Sequence, residues 1–115
     1  MKRKRVMRSE ISVGKSSGNV YADLGYADNE DMLVKAQIVS KIAEILEQRR
    51  LTQEQSARIL RLTQPKISRL LRGQFRGVSE RRLLRCLTRL GRDVQMVVKE
   101  SPARRTQGRL SVRFA

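Results

Sequence analysis

Apolar residues recur at steps of three and four positions in the first half of the chain, a spacing that marks one face of an α-helix. The repeat runs from Met32 to Leu46, with acidic residues before it and Arg49 and Arg50 after it. Acidic groups near the start of a helix and basic groups near its end both suit the helix dipole. The pattern predicts an amphipathic helix over residues 28–50.

Two shorter runs follow, and each opens with Thr-Gln in the stretch TQEQSARILRLTQPKISRLLRG, which begins at Thr52. Thr52 and Gln55 have the spacing of a capping box, so they predict a helix that ends near Leu60. Thr63 or Gln64 caps the next helix, in whose first turn a proline is tolerated. Two short helices joined by so short a turn form a helix-turn-helix pattern.

The chain beyond this pair predicts one more helix and then a change of period. A leucine-rich run that Ser79 caps predicts the helix. Val94, Met96 and Val98 then alternate with their neighbours, which predicts a short C-terminal β-strand with an apolar face. Residues 110–114 alternate again and are a candidate second strand.

A lone strand needs a partner for its backbone hydrogen bonds. Either residues 110–114 or the same strand of a second subunit supplies it. Helix-turn-helix proteins commonly bind palindromic DNA as dimers. We therefore expect a homodimer in which Val94, Met96 and Val98 contribute to dimerisation.

The predicted fold class is mainly all-α, with one helix-turn-helix domain over residues 28–100. Residues 1–27 lack a sustained period and are expected to form a flexible basic arm, and residues 101–115 a basic tail. The start, MKRKRVMR, is not followed by the apolar run of a signal peptide. No stretch is long and apolar enough to cross a membrane, so we expect a cytoplasmic protein.

Composition narrows the function. The 115 residues carry a formal charge of +15, and the isoelectric point is near 11.5. This balance favours a nucleic-acid partner. There is no histidine, and Cys86 is the one cysteine, which removes Ser-His, Cys-His and His-ligated metal sites and any disulfide framework. We expect no enzyme activity, no cofactor and no metal.

The second short helix has one apolar edge, because Ile67 and Leu70 are three positions apart. Its other positions carry hydrogen-bonding or cationic groups suited to base edges and phosphates: Gln64, Lys66, Ser68, Arg69 and Arg72. A plain helical hairpin with a solvated basic face is the alternative. Residues 53–92 contain eleven basic and two acidic residues. A solvated surface usually mixes both signs of charge, so this lack of negative charge favours nucleic-acid binding.

The segment LTQEQSARILRLTQPKISRLLRG resembles the helix-turn-helix of lambda-repressor-like, XRE-family regulators. Over residues 19–100 the chain also looks like the HigA-type antitoxin branch of that family. The resemblance implies a compact helical DNA-binding domain in which Gln64 reads bases and Lys66 and Arg69 face the groove. It implies that Gln53 contacts phosphate, and Thr63 completes the candidate DNA-binding set.

Two positions depart from the family pattern. Arg61 stands in the turn where the family often has glycine, which implies a different turn or an extra phosphate contact. Ser56 replaces a position that is usually apolar, so we expect weaker packing of the first short helix.

The function expected from this resemblance is sequence-specific repression of transcription at a palindromic operator. The chain would be the antitoxin of a type II toxin–antitoxin pair that represses its own operon and neutralises an RNase-type toxin. A standalone or phage-type XRE repressor without a toxin is the main alternative. A basic RNA-binding protein is less favoured, since single-stranded RNA readers use exposed aromatic residues and the four here are not clustered in sequence.

A candidate toxin-binding segment is NVYADLGYADNEDM. It places acidic groups beside aromatic and aliphatic anchors, with Tyr21, Asp23, Leu24 and Tyr26 at its centre. Such a segment suits ordering on a basic protein surface. The alternative is that these acids only cap the first helix.

Overall fold

The computed structural model describes residues 29–115, and this part of the chain contains four α-helices. Helix α1 spans Asn29–Gln48, α2 spans Gln53–Leu60, α3 spans Gln64–Leu71 and α4 spans Glu80–Arg89. All four were predicted from the sequence, so the mainly helical fold class is confirmed. The predicted basic arm lies outside the described residues.

The starts of the three shorter helices are fixed by local hydrogen bonds. The backbone N–H of Gln55 donates to Thr52 Oγ1 at 3.1 Å, and the N–H of Thr52 donates back to Gln55 Oε1 at 2.9 Å. Thr63 accepts from the third residue of α3 and Ser79 from the third residue of α4. Thr63 is therefore the cap of α3, and Gln64 is its first residue. Pro65 follows it in the first turn, where no N–H is required.

The core lies between α1 and the other three helices. α1 packs against α3 and α4, and α2 packs against both of the same helices. Fully buried aliphatic side chains from every helix meet there: Ile38, Ile42, Ile45, Leu60, Ile67 and Leu83. Since α2 and α3 have eight residues each, and isolated helices shorter than about 12–15 residues are marginal in water, this core is what keeps them folded.

Two arginines adopt the left-handed conformation that usually favours glycine. Arg50 follows α1 with φ of 54°, and Arg61 ends α2 with φ of 56°. The N–H of Arg61 donates to the Ala57 carbonyl. Gly73 and Gly91 take the same region after α3 and α4. The turn at Arg61 thus keeps a glycine-like geometry without glycine.

Ser56 is buried, with 2% of its surface exposed. Its hydroxyl donates to the Thr52 carbonyl at 2.8 Å. The polar group that stands at a usually apolar position is therefore satisfied within α2, and its burial leaves no unpaired donor.

The strand predicted over residues 94–98, and the candidate second strand over 110–114, are wrong for the single chain. Residues 92–115 contain no helix and no strand. A strand requires a ladder of hydrogen bonds to a neighbour, and no described segment pairs with 94–98. Instead Val94 and Val112 pack against the core, and the Phe114 ring lies 5.5 Å from Lys41 Nζ on α1. The tail therefore returns across the first helix.

Candidate nucleic-acid interface

Helix α3 presents a polar face to solvent because its apolar face is committed to the core. Ile67 is fully buried and Leu70 is 3% exposed. The five predicted positions occupy the remaining surface: Gln64, Lys66, Ser68, Arg69 and Arg72. Ser68 is half-buried and the other four are exposed. The structure brings this predicted set together on one helix.

The polar face of α3 has two edges. At 3.6 residues per turn, Gln64, Ser68 and Arg72 follow one line along the helix, four positions apart. Lys66 and Arg69 follow another, three positions apart, and both border a groove between α3 and α4. One edge therefore offers mostly neutral hydrogen-bonding groups, and the other offers cations.

The two remaining candidates lie at helix starts. Gln53 is the first residue of α2 and is half-buried. Thr63 accepts the N–H of Lys66 at 3.3 Å, so it has a capping role. That bond uses a lone pair and leaves the hydroxyl hydrogen to donate, for instance to a phosphate.

The groove between α3 and α4, which we call the arginine groove, was not predicted from the sequence. It encloses about 580 Å³, and its lining contains seven cationic residues and no acidic one: Arg61, Lys66, Arg69, Arg81, Arg82, Arg85 and Arg89. The signal that was present in the sequence is the run ERRLLRCLTR, which repeats arginine at three- and four-residue steps on one helix.

The lining of the arginine groove is partly apolar. Leu70, Leu83 and Cys86 border it and are buried. Burial raises the pKa of the Cys86 thiol, and the charges of Arg89 and Arg82 oppose that rise without cancelling it. Cys86 therefore stays protonated near neutral pH and acts as a small core residue.

Two long-range hydrogen bonds hold the walls of the groove. Arg89 Nη1 donates to the Leu60 carbonyl at 3.1 Å, which ties α4 to the end of α2. Lys35 Nζ, on α1, donates to the Arg76 carbonyl at 2.8 Å. Lys35 is itself buried, so it fixes the loop between α3 and α4 from below.

The candidate dimerisation residues do not share one environment. Val94 is half-buried against the core of its own chain. Met96 is 83% exposed and Val98 is 98% exposed, with Val97 between them at 80%. The candidate toxin-contact residues Tyr21, Asp23, Leu24 and Tyr26 lie outside the described residues.

Two further findings concern residues 29–115 alone. No helix in this part of the chain is both long and apolar enough to span a bilayer. No group of three or more histidine, cysteine, aspartate or glutamate side chains lies close enough there to hold a metal ion.

The capped helix pair, its exposed polar face and the adjoining cations define a helix-turn-helix DNA-binding protein. A family model described as a helix-turn-helix domain matches residues 20–99. A solved structure named as an XRE family transcriptional regulator is 32% identical, with a TM-score of 0.72, and the match covers 76% of this chain and 99% of that one. No curated protein gives a significant match.

The chain therefore belongs to the XRE family of helix-turn-helix transcriptional regulators. The resemblance noted in the sequence is confirmed at this level.

Proposed function

We propose that this protein is a sequence-specific repressor that binds a palindromic operator as a homodimer, and that it is the antitoxin of a type II toxin–antitoxin pair. The observation that carries the reading role is the outward face of α3. Gln64 and Arg69 are exposed near the start and middle of that helix. Amide and guanidinium groups at these positions have the donors and acceptors that distinguish base pairs in the major groove.

The test of reading separates base contacts from phosphate contacts. A duplex is selected from a randomised pool by the wild-type protein and compared with a scrambled duplex of equal length. Gln64→Ala or Arg69→Ala should cost roughly 1–3 kcal/mol on the selected duplex and far less on the scrambled one, whereas Arg72→Ala should weaken both alike. Equal losses on both duplexes for all three variants would remove the reading role of α3.

Support for the homodimer comes from the exposed apolar segment that begins after Val94. Met96, Val97 and Val98 stand almost fully in solvent, and a contiguous exposed apolar patch of this kind marks a surface that another chain can cover. Two copies that meet through it cover these side chains.

Met96→Lys tests the dimer, because it places a charge where the apolar surface is to be covered. We expect a monomer or a much weaker dimer by light scattering, with a large loss of affinity for the selected duplex. Gln95→Lys is the control, since it adds the same charge at an adjacent exposed position that is already polar, and it should leave the dimer intact. An unchanged dimer in Met96→Lys would move the interface to another surface, for which α4 is the next candidate.

The antitoxin role rests on charge. An RNA-cleaving toxin has a basic active-site surface, because it binds a polyanion. Residues 53–92 are strongly cationic and would be repelled, whereas Glu30 and Asp31 stand exposed at the start of α1. We therefore assign the toxin contact to residues 19–35.

Its test is a truncation that lacks residues 1–27. It is assayed for binding to the selected duplex and for rescue of cells in which the product of a reading frame beside this gene arrests growth. We expect DNA binding to survive and rescue to be lost. Full rescue would place the contact on the helical domain, and absence of a toxic neighbour would leave a standalone XRE repressor.

A further inference from the structure

The arginine groove is a cationic surface that the base-reading role of α3 does not use in full. Its α4 wall consists of Arg81, Arg82, Arg85 and Arg89, and none of these contributes to the face that reads bases. Cations packed this closely repel one another, which costs stability unless an anionic partner is bound. The groove therefore requires an explanation beyond folding.

The two walls of the groove, α3 and α4, are positioned so that one DNA duplex can contact both. Lys66 and Arg69 belong both to the polar face of α3 and to the lining of the groove. A duplex that places its major groove on α3 therefore brings its sugar-phosphate backbone along the same opening. Arg61, at the turn between α2 and α3, extends the cationic lining beyond Lys66.

The length of the α4 wall suits a phosphate backbone. From Arg81 to Arg89 the helix rises by roughly 12 Å, at about 1.5 Å per residue. One DNA strand carries a phosphate every ~3.4 Å along the helix axis, and successive phosphates lie further apart along the winding strand, so the wall is long enough to reach at least two of them. The buried apolar groups Leu70 and Leu83 beside the cations lower the local dielectric constant, which focuses the field towards an anion in the groove.

We propose that the arginine groove holds one strand of the DNA backbone beside the half-site that α3 reads, and so supplies sequence-independent affinity. This inference rests on the proposed function, because it takes the partner to be the same duplex. A basic toxin surface would be repelled here, and an acidic polypeptide lacks a reason to align with α3.

The test removes two charges from the α4 wall with Arg82→Gln and Arg85→Gln together. Neither side chain has the structural bond that Arg89 makes to α2. The matched control is Arg104→Gln with Arg109→Gln, which removes two exposed tail arginines outside the groove. Thermal melting of both double variants checks that they are folded.

The readout is the dependence of the association constant on salt for the selected and the scrambled duplex. Each lost phosphate contact lowers the slope of log K against log salt by about 0.9, so the groove variant should lose about 1.8 per bound subunit, or about 3.6 for a bound homodimer, and the tail variant almost nothing. The ratio of the two affinities should stay within about twofold of the wild-type ratio, since phosphate contacts carry no sequence information.

Ethylation of single phosphates in the selected duplex then locates the contact. We expect a short run of consecutive phosphates whose ethylation hinders the wild type but not the groove variant. A wild-type slope in the groove variant, an equal loss in the tail variant, or competition by polyglutamate that the groove variant alone escapes would each overturn the inference. Failure of the proposed function is distinct, since the wild type would then not prefer the selected duplex at all.

Discussion

Replacement of Arg61 by glycine should stabilise the fold and weaken DNA binding at the same time. Arg61 has φ of 56° at the end of α2, and the left-handed region costs a residue with a Cβ roughly 1–2 kcal/mol. Glycine has no such penalty but loses about 0.5–1 kcal/mol more chain entropy on folding. Since the Arg61 side chain is exposed, little packing is lost.

The difference between the two mid-range values predicts that Arg61→Gly raises the free energy of unfolding by about 0.75 kcal/mol. For a domain of this size that corresponds to a rise of roughly 3–6 °C in Tm. The assay is chemical and thermal unfolding followed by circular dichroism. Arg61 also lines the arginine groove, so the salt slope for the scrambled duplex should fall by about 0.9 per bound subunit.

Arg50→Gly is the matched control, because Arg50 has φ of 54° and is exposed but does not line the groove. It should give the same stabilisation with an unchanged salt slope. Lower Tm in both variants would refute the reasoning from backbone conformation. Equal salt slopes in both variants would refute the placement of Arg61 beside a phosphate.

Three other changes follow from single contacts. Lys35→Met removes the bond to the Arg76 carbonyl and should cost about 1 kcal/mol, with faster amide exchange at Val78. Lys41→Met loses a partly exposed pair with Glu44 and the contact with the Phe114 ring, which together should cost about 0.5 kcal/mol without faster exchange at Val78; faster exchange at Val78 in both variants would contradict the tether. Thr52→Ala removes the capping box and should lower the free energy of unfolding, measured in urea, by about 1 kcal/mol. The control is Thr88→Ala, because the Thr88 hydroxyl bonds only within the last turn of α4; it should change the same quantity by no more than about 0.5 kcal/mol. Burial holds the pKa of the Cys86 thiol in the folded state above its ordinary value of 9.0. As the pH rises past that value, the unfolded chain loses a proton that the folded state keeps, so the free energy of unfolding should fall. Cys86→Ala should reduce that fall, and identical pH profiles would show that the thiol does not contribute.

The helices were predictable because their signals are local. Thr52, Thr63 and Ser79 each mark a start through a bond to a residue three positions on, and the apolar spacing of α1 lies within one element. The strand over 94–98 was predicted wrongly from alternation alone. Alternation describes side chains, whereas a strand also needs a neighbour, and the single chain offers none among its described residues.

The reading face of α3 was predictable for the same local reason, since burial of Ile67 and Leu70 decides which side chains point outward. The arginine groove was not. Its cations come from the turn at Arg61, from α3 and from α4, and only tertiary packing brings them together. The hydrogen bond of Lys35 was equally unpredictable, because its partner lies 41 positions away and no sequence pattern joins the two residues.

The two short helices depend on a shared core, so the base-reading helix α3 is sensitive to a single cleavage of the backbone. Leu83 and Leu87 of α4 complete the core on which Ile67 of α3 rests, and the intervening loop exposes Arg76 next to Gly77. One cleavage there by a trypsin-like protease removes the covalent link between α3 and α4, so that only non-covalent packing then holds α4 against the eight-residue α3. Such a cut would weaken DNA binding through the fold and not through any contact with DNA, and on the ribosome the same dependence delays the folding of α3 until residue 90 has emerged.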